Sequence, residues 1–327
     1  MTNLTTKIAG LLLLLPVALL LMDQGADAAD FSLTDPNRII DQGGRAIEVP
    51  KPFRRIISLY GAHTENLFAL GLDHEIIGVS RSEVYPPRAL QRPVYSYHDD
   101  PEKFLAAGPD LVLIRPMIDR GYPQFVERLQ SFGITVVSLQ PSTVADMLVY
   151  WKILGALCGR PDRAEAMGLR FQRAAAAFQD LTAPLPTRKR VYFEAIHDKM
   201  KTFSPDSMAI FALETAGGIN VAADADPVRG TNIAAYGKER ILAQADDIDV
   251  YLTQSGTMNR PSPELIKNEP GFQAIKAVRN NQIYIIDEEI VSRPTMRLLD
   301  GIQAIGKILY PDLFDEKAQK IIDRAKE

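Results

Sequence analysis

The sequence predicts an α/β protein of two Rossmann-like lobes, each with a central parallel sheet, joined by one long helix with a ligand cleft between them. Three observations lead there. First, Pro161–Leu181 carries apolar residues at Ala164, Met167, Phe171, Ala174, Phe178 and Leu181, spaced 3, 4, 3, 4, 3. That is one face of a helix held for about six turns, a rod of roughly 30 Å. Second, short apolar runs alternate with helical segments on both sides of it, the pattern of parallel sheets covered by helices. Third, Glu102-Lys103-Phe104-Leu105-Ala106 running on to Asp110 is echoed by Glu239-Arg240-Ile241-Leu242-Ala243 running on to Asp247. The echo reads as one architectural unit used once per lobe, against the alternative of two chance helix-to-strand junctions.

Taken in order, the chain opens with Lys7, an apolar run from Leu11 to Met22, and Ala26-Asp27-Ala28 as a small-x-small cleavage site. Residues 1–28 therefore read as a secretory signal peptide, too short for a comfortable membrane span, with an uncleaved anchor as the alternative. The N-terminal lobe is expected over 29–145. It starts with a hairpin over 31–54 turning at Gln42-Gly43-Gly44-Arg45, followed by strands at Arg55–Tyr60, Glu75–Ser80, Pro93–Tyr97, Leu111–Ile114 and Ile134–Leu139. Helices at Thr64–Leu70 and Tyr122–Phe132 separate them. Linking helices occupy 146–186. Pro161 suits a first helical position, and Pro184 and Pro186 forbid continuation. The C-terminal lobe, 187–327, is expected to hold strands at Arg190–Ile196, Val250–Thr253 and Gln282–Asp287. Its helices are expected at Ser207–Ala216, Lys238–Ala245 and Pro263–Val278, with a closing pair from Arg297 split near Pro311.

Composition narrows the function. Apolar content of 46% and charged content of 24% are ordinary for a soluble protein, and a net charge of -4 gives no footprint for nucleic acid or an anionic membrane. The one cysteine, Cys158, lies in an apolar helical run and reads as packing; no cysteine follows the signal-like run to take a lipid. An exported, cysteine-poor, unlipidated chain points to the periplasm. No glycine-rich nucleotide loop, Gly-x-Ser-x-Gly elbow, His-Glu-x-x-His or paired-cysteine motif occurs, so no catalytic cofactor is expected and no metal ligand is assigned directly. His63, His98 and His197 are the candidates for contact with a metal-bearing cargo. Asp99-Asp100 and Asp246-Asp247 read as helix caps and solvated faces.

Polar and aromatic residues instead gather just beyond strand ends, where open α/β sheets bind ligands. The N-terminal lobe offers Tyr60 and His63, Arg81 and Tyr85, Tyr97 and His98, and Arg115. The C-terminal lobe offers His197, Arg229, Tyr236, Gln254, Arg260, Glu288 and Arg293. Each alone reads more readily as a surface residue than as a ligand contact; as a group they describe a solute-binding cleft. The arginines favour a cargo that is anionic or bears carboxylates, which guanidinium pairs with through two parallel bonds.

Arg55-Ile56-Ile57-Ser58-Leu59 followed by Thr64-Glu65-Asn66-Leu67-Phe68-Ala69-Leu70-Gly71, then Ile77-Gly78-Val79-Ser80 with Tyr85-Pro86-Pro87, and Pro109-Asp110-Leu111-Val112-Leu113, carry a family resemblance over residues 38–312. The chain resembles the periplasmic solute-binding proteins that serve ABC importers of iron-siderophores, haem and cobalamin. The resemblance implies two lobes joined by a rigid helix, small lobe motions, no enzymatic activity, and a monomer that hands a metal chelate to a permease dimer in the inner membrane. The cargo it implies is an iron or cobalt chelate, with a ferric siderophore first and haem or a corrinoid next. Haem-binding relatives place an iron-ligating tyrosine where Tyr85 stands, but Val84 precedes it in place of their Ser or Thr. Cobalamin binders share Tyr-Pro-Pro, and at the position of their next aromatic residue this chain has Ser96 beside Tyr97. The resemblance further implies that Glu102 and Glu239, one per lobe, engage arginines of the two permease subunits. The rival from another class is a periplasmic hydrolase using His63 or His98 as base.

Overall fold

A computed structural model describes residues 31–326, apart from 36, 229 and 230. The proposed signal peptide and Arg229 therefore lie outside the described residues. Strands β1 (Ser32–Asp35), β2 (Arg38–Ile40) and β3 (Ala46–Glu48) form a small antiparallel sheet. The β2–β3 turn closes on the buried Asp41 carboxylate, which accepts from the Gly43 and Arg45 amides and from the Ser138 amide of the neighbouring sheet. Arg45 also grips Asp41 and Asp119 through its guanidinium.

The first lobe continues through β4 (Ile56–Ser58), α1 (Gly61–Ala69), β5 (Ile76–Ser80), β6 (Val94–Tyr95), α2 (Pro101–Ala107), β7 (Leu111–Ile114), α3 (Pro116–Gly121), α4 (Pro123–Ser131) and β8 (Thr135–Ser138). Its sheet is wholly parallel, in the order β6-β5-β4-β7-β8. Strand order reverses between β4 and β7, so the loops leaving their carboxyl ends diverge and open a crevice.

Helices α5 (Val144–Cys158) and α6 (Pro161–Thr182) follow, and α6 occupies the stretch expected to be the rod. Its buried face is Ala164, Met167, Phe171, Ala174, Ala175, Phe178 and Thr182; Leu181 is only half-buried. Gly155 lets α5 cross it closely, since a Cβ there would come within 2.6 Å of the Ala164 Cβ. Phe178 stacks on Phe314 with centroids 5.9 Å apart.

The second lobe comprises β9 (Arg190–Ile196), β10 (Lys201–Phe203), α7 (Met208–Thr215), β11 (Ile219–Asn220), β12 (Asp226–Pro227), β13 (Ile233–Ala235), α8 (Lys238–Ala243), β14 (Val250–Ser255), α9 (Pro263–Asn268), α10 (Lys276–Arg279), β15 (Ile283–Asp287), α11 (Glu288–Val291), α12 (Leu298–Leu309) and α13 (Glu316–Lys326). Only part of this sheet is parallel. Strands β9, β14 and β15 run together, whereas β10, β13 and β12 add an antiparallel flank. The expected helix Pro263–Val278 is broken, because Pro270 disfavours helical backbone at Glu269 and Gly271 sits at φ 89°.

The helix joining the lobes is not a bare strut. One continuous apolar core runs from Ile56 and Leu113 of the first sheet, through Trp151, Phe171 and Phe178, to Leu213 of α7 and Phe193 and Leu252 of the second sheet. The opposite sheet faces carry separate cores, around Phe104 and Phe125 in one lobe and Tyr251 and Phe272 in the other.

Candidate functional site

The crevice at the carboxyl ends of the two sheets is a cleft with a cavity volume of about 460 Å³. That is within the usual range of small-molecule sites, roughly 300–1,000 Å³. Tyr60 follows β4 and Arg115 follows β7, so the strand reversal sets them side by side. The Arg115 guanidinium lies 4.6 Å from the Tyr60 ring centroid, and its buried Nε has no hydrogen-bond partner among the described residues. Burial raises the Tyr60 hydroxyl pKa, with Arg115 and Arg293 opposing; Tyr60 therefore carries a neutral hydroxyl at physiological pH.

Arg81, Tyr97 and His98 form the first lobe's outer wall. The Arg81 side chain is 78% exposed, with the Asp99 carboxylate 3.9 Å away. Tyr97, His98 and Tyr122 make an aromatic corner with centroids 4.3–5.1 Å apart. From the other side come Gln254, Met258, Glu288, Ser292 and Arg293. Ser292 donates to Gln254 Oε1 at 2.8 Å, and Arg293 pairs with Glu289 at 3.1 Å. The cleft lining includes Arg81, Arg115 and Arg293 together with the carboxylate of Glu288; of the three arginines only Arg115 has no carboxylate partner among the described residues. Beneath the wall, Glu83 accepts from Ser80 and Thr64, and burial pushes its carboxyl upward.

The structure thus brings Arg81, Tyr97, His98, Arg115 and Arg293 together. It places other candidates elsewhere. His63 is fully buried in the first turn of α1, bonded to Tyr150 Oη at 2.7 Å and the Ile114 carbonyl at 3.0 Å. Burial lowers its pKa to about 3, so it is a neutral structural group with no path to a ligand or to the work of a hydrolytic base. His197 is buried against Glu194, 2.9 Å away, whose hydrogen bond raises the imidazole pKa. Tyr236 is buried and donates to the Val221 carbonyl. Tyr85 lines a neighbouring cavity of about 410 Å³ between α1, α12 and α13, with the Arg297 guanidinium 4.5 Å from its ring centroid. Arg260 is exposed and outside the cleft lining. Glu102 and Glu239 are exposed in the first turns of α2 and α8, Glu102 within 3.3 Å of Arg128. Sequence reasoning missed Met258 and Ser292, whose residue types carry no signal until the loops are folded together. No cluster of His, Cys, Asp and Glu suited to a metal ion occurs among the described residues.

Residues 56–290 match the model of a family described as periplasmic binding protein. An uncharacterized ABC transporter substrate-binding lipoprotein of Bacillus subtilis, YvrC, is 24% identical over 286 residues, covering 86% of this chain and 88% of its own. A vitamin B12-binding protein of Vibrio cholerae is 24% identical over 261 residues, covering 78% of this chain and 89% of its own. Among solved structures, a possible iron-binding (periplasmic solute-binding) protein from Staphylococcus epidermidis superposes with a TM-score of 0.69 at 24% identity, covering 80% of this chain and all of that one. That likeness establishes the two-lobed α/β fold. With the family match spanning both lobes, the chain belongs to the periplasmic binding protein family, that of the siderophore-, haem- and cobalamin-binding proteins, and is a binding protein rather than an enzyme.

Proposed function

We propose that this chain is the substrate-binding protein of an ABC importer, capturing an anionic metal chelate, with a ferric siderophore first, and delivering it to an inner-membrane permease dimer. The observation that carries this reading is Arg115, which lines the cleft half-buried and without a carboxylate partner among the described residues, whereas Arg81 and Arg293 beside it are paired with Asp99 and Glu289. A desolvated cation without a counter-ion is costly to maintain, and an anionic ligand offsets that cost. Aromatic faces at Tyr60, Tyr97 and His98 suit the flat rings of a catecholate or similar chelator. A corrinoid is the second reading, supported by the relative that binds vitamin B12. Haem ligation through Tyr85 is less favoured, because that side chain faces the adjoining cavity. The protein acts outside the cytoplasm, as a monomer in the periplasm. Glu102 and Glu239 supply the docking carboxylates.

Titration with ferric tris-catecholate, haemin and cyanocobalamin, alongside native mass spectrometry of protein purified from the cell envelope, tests the reading. Wild type should prefer the tris-catecholate. Arg115→Ala should lose about 1.5–3 kcal/mol of that affinity, as for a hydrogen bond to a charged group, and little for neutral cyanocobalamin. Equal affinity of Arg115→Ala and wild type for every chelate would refute it.

A further inference from the structure

The Thr64-Glu65-Asn66 run of α1 is part of the family resemblance, yet none of the three lines the cleft. Its contacts lie across the molecule. Glu65, 5% exposed, holds the Arg297 guanidinium through two bonds, 2.9 Å from Nε and 2.8 Å from Nη2. Asn66 Nδ2 donates to the Pro294 carbonyl at 2.8 Å, and Trp151 Nε1 donates to the same carbonyl at 3.2 Å. The segment between α11 and α12 is therefore fastened to α1 of the first lobe and to the linking helix α5, although it follows the last strand of the second lobe. Its second residue, after Ser292, is Arg293. That guanidinium lies over the start of α1, where a Cβ on Gly61 would come within 2.6 Å of Nη1.

We infer that Glu65, Asn66 and Trp151 are positioning residues that clasp Arg293–Arg297 to the first lobe. Arg293 then meets cargo as part of the first lobe's anion-binding wall beside Tyr60 and Arg115, and the second lobe closes on a cargo already held. Arg293 is tied forward to Arg297 through Glu289, which lies 3.1 Å from the one and 3.5 Å from the other. Releasing Arg297 from Glu65 removes the charged anchor of that chain to α1 and leaves the Pro294 carbonyl as its remaining tie.

The presentation of Arg293 to cargo rests on the anionic-chelate reading; the clasp itself does not, and two measurements separate them. In the cargo-free protein, amide hydrogen exchange over residues 292–299 is compared between wild type and Glu65→Gln. Exchange there should rise at least tenfold while β9 and β14 keep their protection. Unchanged exchange overturns the clasp. Next, ferric tris-catecholate is titrated into wild type, Glu65→Gln, Arg293→Gln and the double variant. Each single change should weaken binding about tenfold, and the double should bind no worse than Arg293→Gln alone. A full further tenfold loss in the double variant means that Glu65 acts independently of Arg293 and overturns the positioning role. If wild type does not bind this probe, the cargo reading falls and the exchange result alone decides the clasp. Arg297→Lys, which keeps the charge but not the paired geometry, should fall between wild type and Glu65→Gln in both measurements and serves if the latter folds poorly.

Discussion

His63 and His197 are both buried, yet their environments give them opposite dependences on pH. His63 has a folded pKa of about 3, below the unfolded 6.5. Between those values the unfolded chain binds a proton that the native state refuses, so stability falls as pH drops from 6.5 toward 3, by up to ~1.4 kcal/mol per pH unit. His197 is raised by Glu194, so its contribution is fully present below about pH 6.5 and is lost as pH rises through its folded pKa. Thermal denaturation from pH 5 to 8 should therefore show His197→Gln most destabilised at the acid end, with the gap to wild type closing upward. His63→Gln should show a shallower acid decline than wild type. Parallel curves for all three proteins would contradict these assignments. Gly61 makes a third case. Added bulk there meets only the far end of the flexible Arg293 side chain. Gly61→Ala should therefore leave the melting temperature nearly unchanged while weakening tris-catecholate binding about as much as Arg293→Gln; wild-type affinity would show that the guanidinium is not used where it lies.

The helices α2 and α8 begin alike, each with an exposed glutamate in its first turn. Charge there contributes little to folding, so Glu102→Arg with Glu239→Arg should keep stability and cargo affinity. Set against arginines of a permease, the new charges should abolish uptake in reconstituted vesicles; normal uptake by the double variant would rule out docking through these residues. Element by element, the sequence was most readable where one period ran long enough. The face of α6 and the strands of the first lobe fall within a residue or two of their patterns. Strands β10 to β13 are not visible in the sequence because two or three residues cannot display alternation. The cleft was half-legible for a related reason. His63 was read as a loop residue because α1 was expected to begin at Thr64; it begins at Gly61, and that one turn rotates the imidazole into the core. Arg115 and Tyr60 could be found because a strand end fixes where the next residue goes.

At the scale of the whole molecule, the core that passes from one sheet to the other through α5 and α6 leaves neither lobe with an apolar interior of its own on that side. Unfolding one lobe would strip the other's core, so calorimetry should show one cooperative transition with matching calorimetric and van't Hoff enthalpies. Two resolved transitions would mean that the shared core does not couple the lobes.

The sequence contains one tryptophan. Trp151 is completely buried, edge-on to Phe171, with its indole N–H directed at the Pro294 carbonyl. The only strong fluorophore in the chain is thus wired into the seam between the lobes rather than into the ligand pocket. Its emission reads the seam without any attached dye, and a shift in its wavelength on loading distinguishes cargo that strains this junction from cargo that merely fills the space above it.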